Sequence, residues 1–224
     1  MSFFENTRKP VGLGGKLMVS LMNLGHSPMA WWGLRFLNVA PDAKVLDCGC
    51  GGGANIKRLL KKCPQGIVKG IDYSPVSVEK SQRVNADAIA KGRCTILQGS
   101  VAKRFFAEGW FDAVTAFETV YFWPELPQCF REIHRMLKPG GMFLICNESS
   151  GDTDKDEKWT KIIDGMTIYK DVELKADLEQ AGFRDVQIHK NKRGWLCVTA
   201  RKRGAETNMS IFASILRDVY QVFQ

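Results

Sequence analysis

Residues 45–54 read Val-Leu-Asp-Cys-Gly-Cys-Gly-Gly-Gly-Ala and place an apolar run, an acidic residue and a glycine-rich turn directly before a helical pattern. Glycine lets the backbone take a positive φ and lets a ligand come close without meeting a Cβ atom, and a nucleoside beside a strand end requires both. A tight turn that binds nothing is the simpler interpretation, but such a turn does not need four glycines and a carboxylate. The segment predicts a strand with a ligand site above its end.

Apolar runs and helical patterns alternate on the C-terminal side of this turn. The runs typical of strands are residues 44–48, 67–71, 94–98, 111–117 and 142–147, and the helical patterns are residues 55–62, 74–90 and 126–137. Ser74 can cap the second of these helices, with Pro75 at its first position. Short strands that alternate with helices predict a parallel sheet with helices on both faces.

The pattern changes in the last third of the chain. Residues 171–181 are typical of a helix, and the apolar-rich runs 185–189 and 195–200 are joined only by residues 190–194. A connection that short forces antiparallel pairing, because a parallel crossover needs a dozen or more residues. We therefore predict a doubly wound, Rossmann-like α/β fold with a seven-stranded, mostly parallel sheet, helices on both faces and a C-terminal antiparallel hairpin.

The chain divides into three predicted parts. Residues 1–40 form an N-terminal helical lid, whose apolar pattern is broken into two helical pieces at Gly25 and Pro28. Residues 41–203 form the main domain, and residues 204–224 form a terminal helix. The apolar side of that helix packs on its own domain by default, or it offers a face to a partner or a second copy, so a monomer and a homodimer are both open.

The composition disfavours several classes of protein. A net charge of +8 would suit a nucleic acid partner, but the basic residues of the segment 57–62 interrupt a helical apolar pattern, as on a solvated face, so no dedicated nucleic-acid surface is expected. The seven cysteines are scattered, and Cys48 and Cys50 lack the second cluster of a zinc site. With no signal peptide and no apolar run that could span a bilayer, we expect a cytoplasmic protein without a membrane partner.

Two cofactor classes fit the glycine turn. Gly49, Gly51 and Ala54 satisfy G-x-G-x-x-A, and Asp72 lies at the distance expected for a ribose ligand in an NAD-dependent oxidoreductase. Asp47 argues against that class, since it would repel a pyrophosphate but could meet a cationic ammonium group. The glycines also continue at alternate positions as D-x-G-x-G-x-G, and the predicted hairpin replaces a second mononucleotide-binding half.

Further motifs follow the turn in order. They are Gly70-Ile71-Asp72-Tyr73-Ser74, Phe111-Asp112-Ala113-Val114, His134-Arg135-Met136-Leu137-Lys138-Pro139-Gly140-Gly141 and Ala181-Gly182-Phe183. Together with residues 47–53, they resemble the class I S-adenosylmethionine-dependent methyltransferases of the small-molecule type, similar to ubiquinone and menaquinone biosynthesis methyltransferases. The resemblance covers residues 41–202. It implies S-adenosylmethionine (SAM) as the cofactor and S-adenosylhomocysteine as its product.

The resemblance also implies where the cofactor binds. Asp72 would hold the ribose hydroxyls, and Ser100 stands where the family commonly has an aspartate that holds the adenine amino group. The predicted cofactor-binding residues are Asp47, Gly49, Cys50, Gly51, Gly53, Asp72, Tyr73, Gly99, Ser100, Val101 and Phe117.

Methyl transfer is an in-line displacement that needs alignment, exclusion of water and, for an O, N or S acceptor, an exit for a proton. Glu118, after strand four, can take a proton or orient the acceptor, and a capping or surface glutamate is an equal alternative. His26 can be a base contributed by the lid or a structural histidine. The predicted catalytic residues are Glu118, His26 and Tyr121, and the predicted acceptor-binding residues are Trp31, Trp32, Trp123, Glu148, Trp159 and Tyr169.

Other mechanisms are less well matched. Residues 117–120 read Phe-Glu-Thr-Val, unlike the Asn or Asp followed by Pro-Pro and an aromatic residue in nucleic-acid amino-methyltransferases. A metal-dependent mechanism would need clustered carboxylates, which the sequence does not assemble, so no metal site is predicted. The polar segment 149–157 predicts a flexible loop over the acceptor pocket. We predict an enzyme that methylates a small molecule of modest size; the alternatives are an NAD-dependent oxidoreductase and a non-catalytic SAM-binding or interaction protein.

Overall fold

Seven strands of the described chain form one mixed sheet. They are β1 (Lys44–Cys48), β2 (Ile67–Asp72), β3 (Cys94–Gln98), β4 (Phe111–Phe117), β5 (Leu137–Asn147), β6 (Phe183–Lys190) and β7 (Leu196–Lys202). Their order is β3-β2-β1-β4-β5-β7-β6. Strand β7 is antiparallel to β5 and β6, and the other neighbouring pairs are parallel. The predicted mostly parallel sheet with a C-terminal antiparallel hairpin is confirmed.

The structure is a computed structural model that describes residues 25–152 and 154–204. Its helices are α1 (Ser27–Gly33), α2 (Ala54–Lys62), α3 (Pro75–Val84), α4 (Ala86–Ala90), α5 (Leu126–Met136), α6 (Asp154–Ile162) and α7 (Asp171–Gln180). No helix within these ranges is both long enough and apolar enough to cross a bilayer. The predicted terminal helix and the first helical piece of the predicted lid lie outside the described residues.

The alternation of side chains along the strands divides the core into two layers, one on each face of the sheet. In β5, Phe143 and Ile145 lie in one layer, while Leu144 and Cys146 lie in the other. Helices α5 and α7 cover the first layer, and α1, α2 and α3 cover the second. Strands that are buried on both faces are apolar at nearly every position, which is why the sequence shows them as continuous runs.

The predicted helix over residues 74–90 is broken into α3 and α4 at Asn85. The Nδ2 group of Asn85 donates hydrogen bonds to the carbonyl oxygens of Gly53 (3.0 Å) and Ser81 (2.9 Å). This side chain therefore ties the helix that follows β2 to the glycine turn that follows β1. Such a contact between distant segments leaves no local signal in the sequence.

Two other predicted boundaries were wrong. Strand β5 begins at Leu137 rather than Met142, because the residues directly after α5 already pair with β4 across a register shift. Helix α6 begins at Asp154, inside the segment 149–157 that was predicted as a loop. The connection after β5 is correspondingly shorter than predicted.

The described part of the predicted N-terminal lid, residues 25–40, packs into the core of the main domain. Met29 is buried, and its sulfur lies 3.0 Å from Sγ of Cys146 in β5. Gly33 approaches the same strand so closely that a Cβ atom would collide with Cys146. Helix α1 thus holds His26, at its N-terminal end, beside the sheet. The division of the chain at residue 40 stays a prediction.

Strand β1 occupies the point where the strand order reverses, between β2 and β4. Ligands of open α/β sheets bind in the crevice outside the carboxyl ends of the strands at such a point. The carboxyl end of β1 leads into the glycine turn, while those of β4 and β5 lead into Glu118 and Glu148. The fold brings the predicted cofactor turn and the predicted acceptor residues to one edge of the sheet.

We expect Phe143→Ala to lower the free energy of unfolding by about 3–5 kcal/mol, because it opens a cavity in the first core layer. Phe143 is 1% exposed and packs against Trp123, Phe130 and Phe183. Urea denaturation would measure the change. The control is Val172→Ala, whose side chain is 64% exposed and should change stability by less than about 0.5 kcal/mol. Equal losses in the two variants would contradict the assignment of this layer.

Candidate active site

The glycine turn is tied to the end of strand β2 by backbone hydrogen bonds. The N–H groups of Gly49 and Cys50 donate to the carbonyl oxygen of Ile71 at 2.8 and 3.1 Å. The N–H of Gly51 donates to Oδ2 of Asp72 at 2.9 Å. The two predicted cofactor segments therefore form one rigid unit.

Three alternate glycines of this turn have positive φ, but a side chain at each of them would meet different surroundings. A Cβ atom on Gly49 would collide with Thr119, and one on Gly53 would collide with Ser81 and Asn85. A Cβ atom on Gly51 would meet no atom within 4 Å, although its φ is +50°. Gly51 therefore faces open space at the ligand side of the turn, whereas Gly49 and Gly53 allow close packing within the protein.

Asp47 is a buried carboxyl group with one unused oxygen. Its Oδ1 accepts a hydrogen bond of 2.7 Å from the hydroxyl of Thr115 on β4. Its Oδ2 is buried and has no hydrogen-bond partner among the described residues. Burial raises the pKa of Asp47 to about 7, and the bond from Thr115 opposes this only in part. An external cationic donor would complete this site, and the ammonium partner that the sequence predicts for Asp47 stays a prediction.

Asp72 lies at the rim of the turn and is 8% exposed. Its two oxygens accept hydrogen bonds of 2.9 Å from the N–H groups of Gly51 and Ser74. Burial raises the pKa of Asp72, and these two bonds counteract the rise. Each carboxylate oxygen still has a lone pair for a further donor. Tyr73, the next residue, is 39% exposed at the same rim.

Several predicted cofactor-binding residues make contacts within the protein. The side chain of Cys50 points into the core, with Sγ 3.8 Å from Oγ of Ser81. Val101 and Phe117 pack in the core, and their roles in cofactor binding stay predictions. The predicted adenine residues also have partners of their own: Ser100 Oγ accepts a hydrogen bond of 3.3 Å from the N–H of Ala102, and a Cβ on Gly99 would collide with the ring of Phe105.

The structure brings together three predicted acceptor-site residues that are far apart in the sequence. Nδ1 of His26 lies 3.7 Å from Oε2 of Glu118 and 3.4 Å from Oε1 of Glu148. One ligand atom from each of these residues lies within 4.8 Å of the others. We call this group the His26–Glu118–Glu148 cluster. The sequence placed each of the three at the acceptor side, but it did not assemble carboxylates with metal-binding geometry.

Glu118 is held in a strained backbone conformation, with φ of +56°. Its Oε1 accepts a hydrogen bond of 3.1 Å from the phenol of Tyr121 and another from the N–H of Glu148. Burial raises the pKa of Glu118 to about 7, and Glu148 adds to this while His26 opposes it. Burial also raises the pKa of Tyr121, so its phenol stays a donor.

His26 responds to its surroundings in the opposite direction. Burial alone would lower the pKa of His26, but the carboxylates of Glu148 and Glu118 outweigh burial and raise it. Because the side chains of His26, Glu118 and Glu148 are 30%, 15% and 37% exposed, a small molecule can reach all three.

The aromatic residues among the predicted acceptor-binding residues have different surroundings. Trp123 is a core residue: its ring stacks on Phe143, and its Nε1 donates to Oγ1 of Thr119 at 3.1 Å. Trp32 packs beside Trp195. These positions do not support a role for Trp32 or Trp123 in an acceptor pocket. The remaining predicted residues are Trp31 and Trp159, which are exposed, and Tyr169, which is half-buried against the first core layer.

Residues 46–145 match a family model described as a methyltransferase domain. By this match, residues 46–145 form a methyltransferase domain. It is 30% identical to the cycloartenol-C-24-methyltransferase of Arabidopsis thaliana over 159 residues, which are 66% of this chain and 46% of that protein. It is 33% identical to cycloartenol-C-24-methyltransferase 1 of Oryza sativa subsp. japonica over 109 residues, 49% of this chain and 31% of that protein. The chain thus spans less than half the length of these relatives.

Solved structures share the fold of this methyltransferase domain. A chain of the Haloferax volcanii complex between the Trm112 activator and a methyltransferase superposes with a TM-score of 0.77 at 21% identity, covering 86% of this chain and 96% of that one. The geranyl diphosphate C-methyltransferase of Streptomyces coelicolor A3(2), solved with S-adenosylhomocysteine and Mg²⁺, superposes with a TM-score of 0.69 at 15% identity, covering 79% and 76%.

The residues of the methyltransferase domain fit SAM. The unused buried oxygen of Asp47 can accept from the ammonium group, the open space over Gly51 can admit the cofactor, and Asp72 at the rim can accept from ribose hydroxyls. The sequence did not predict two residues of the site: Thr115, which donates to Asp47, and Thr119, which packs against Gly49. The positions of these two threonines depend on the register between strands β1 and β4, which the sequence does not show.

Gly51→Ala and Gly53→Ala should separate binding from folding. In Gly51→Ala the new methyl group enters the open side of the turn, so SAM affinity should fall at least about tenfold, while stability falls by about 1 kcal/mol from the positive φ alone. In Gly53→Ala the methyl group collides with the backbone of Ser81, so unfolding should become easier by more than about 2 kcal/mol. Calorimetry and thermal denaturation measure the two effects. A larger loss of stability in Gly51→Ala would contradict this assignment.

The affinity for S-adenosylhomocysteine should rise with pH. Because the pKa of Asp47 is about 7, its carboxyl group is mostly neutral near pH 6 and becomes the charged partner of the ligand's ammonium above pH 7. Calorimetry should show binding up to about tenfold tighter at pH 7.5 than at pH 6. Asp47→Asn should bind more weakly and lose this dependence; a retained dependence would assign the titration to another group.

Proposed function

We propose that this chain transfers the methyl group of SAM to a small-molecule acceptor held beside the His26–Glu118–Glu148 cluster. The observation that carries the proposal is the position of this partly exposed polar cluster at the same edge of the sheet as the glycine turn, one strand away from it. The relatives named as cycloartenol-C-24-methyltransferases support methyl transfer to a small molecule.

Each group of residues in the site has a separate role in this proposal. SAM supplies, when bound, a methyl carbon activated by a positively charged sulfur. Asp47 and Asp72 hold its ammonium and ribose groups at the end of β1 and β2. Glu118 receives a polar group of the acceptor, either by orienting it or by taking its proton, and Tyr121 fixes the Glu118 carboxylate through a hydrogen bond of 3.1 Å. Alignment of acceptor and methyl carbon is the main task of the protein in such a displacement.

The cellular location belongs to the same proposal. All seven cysteines are free and buried. Cys146 and Cys197 lie directly opposite each other on neighbouring strands without forming a disulfide. Free thiols in such positions are typical of a reducing compartment, which supports the cytoplasm as the site of action.

Glu118→Gln should lower methyl transfer by about 100-fold while SAM affinity stays the same, because the carboxylate lies on the acceptor side of the site. The assay uses labelled SAM, a metabolite extract and chromatography of labelled products, with SAM affinity measured by calorimetry. The matched control is Glu132→Gln on helix α5, where the glutamate pairs with Arg135 and does not contact the cluster. If no extract yields a labelled product with the unaltered protein, the non-catalytic SAM-binding alternative replaces this proposal.

A further inference from the structure

The His26–Glu118–Glu148 cluster has two acidic groups and a single basic one. Two carboxylates face one imidazole, and within residues 25–152 and 154–204 no lysine or arginine forms an ion pair with Glu118 or Glu148. The scarcity of cations here is local, because the whole chain carries a net charge of +8. Partly buried carboxylates of this kind are stable when a cation is paired with them. Among the described residues the imidazole of His26 is the one base beside the two carboxylates, and a metal ion bound there would replace its proton.

The spacing of the ligand atoms distinguishes between two kinds of cation. A metal ion with bonds of about 2.1 Å in tetrahedral geometry holds its ligand atoms about 3.4 Å apart. An alkylammonium group that donates to acceptors about 2.9 Å away would separate them by about 4.7 Å. Nδ1 of His26 lies 3.4 and 3.7 Å from the nearest oxygens of Glu148 and Glu118. These two distances are closer to the spacing around a metal ion than to that around an ammonium group, and the third, between the two carboxylates, is within 4.8 Å.

The histidine nitrogen is also poised as a ligand. Nδ1 of His26 is buried and makes no hydrogen bond to any residue that the structure describes. Its separations from the two carboxylates are those of an ion pair without hydrogen-bond alignment. An imidazole nitrogen with two carboxylate oxygens is a donor set used by first-row divalent metals in enzymes.

The three side chains are held from three separate elements. His26 occupies the N-cap position of α1, Glu118 follows β4 and Glu148 follows β5. Glu118 receives hydrogen bonds from the phenol of Tyr121 and the backbone N–H of Glu148, which orient its carboxylate. Such outer partners fix the ligands of metal sites. Because all three side chains are partly exposed, a bound ion would keep a position open toward the cleft.

We propose that His26, Glu118 and Glu148 bind a divalent first-row metal ion at the acceptor side of the methyl-transfer site. The role of the ion rests on the proposed function: it would orient an acceptor that offers an oxygen or nitrogen donor. As a ligand of the ion, Glu118 would orient the acceptor through the metal rather than take its proton.

Cobalt(II) is the probe for this site, because its visible absorption reports coordination without any need for a substrate. The full chain is treated with a chelator, desalted and titrated with CoCl₂. We expect ligand-field absorption that saturates at one equivalent, with affinity at least about tenfold weaker in His26→Ala and in Glu148→Gln. The matched control, His189→Ala, removes a histidine that stacks on Phe36 outside the cluster and should keep the spectrum of the unaltered protein.

The same samples are tested for SAM binding by calorimetry and for folding by circular dichroism. Absence of the cobalt spectrum, or a spectrum unchanged in both His26→Ala and Glu148→Gln, overturns the metal site and leaves the proposed function standing when SAM still binds. Loss of SAM binding in the folded, unaltered protein overturns the proposed function instead. If His26→Ala does not fold, Glu148→Gln alone decides, because the Glu148 side chain lies at the surface of the cluster.

Discussion

The hydrogen bonds between the glycine turn and the end of β2 are the constraint on which the cofactor site depends. The carbonyl of Ile71 accepts from two consecutive N–H groups, and the carboxylate of Asp72 accepts from a third. These bonds satisfy backbone donors that the left-handed turn would otherwise leave unpaired. They also determine that the acid of the second strand stands next to the glycines of the first, which is the arrangement a nucleoside needs.

A second contact joins this cofactor unit to the acceptor side. Thr119, in the connection after β4, fills the space that a Cβ atom at Gly49 would occupy. The residue before it, Glu118, takes a left-handed conformation, and Trp123 donates to the hydroxyl of Thr119 from the core. The position of Glu118 therefore follows from how closely the loop after β4 can approach the glycine turn.

Buried carboxyl groups concentrate at this edge of the sheet. Asp47, Asp72 and Glu118 all have pKa values raised by burial, in a chain whose net charge is positive. Removing carboxylates from water is unfavourable unless cations accompany them. The edge is thus suited to cationic ligands, and SAM, which carries a sulfonium and an ammonium group, is such a ligand.

The sequence by itself determined the order of the strands along the chain, the C-terminal hairpin and the position of the glycine turn after β1. These follow from local patterns: continuous apolar runs, glycines at alternate positions and a connection too short for a crossover. Only the tertiary structure decided which glycine of the turn faces open space, that Trp123 is a core residue, and that His26, Glu118 and Glu148 meet. Those facts depend on strand register and on the packing of α1 against β5, where residues more than 90 positions apart come into contact, and no local pattern encodes such distances.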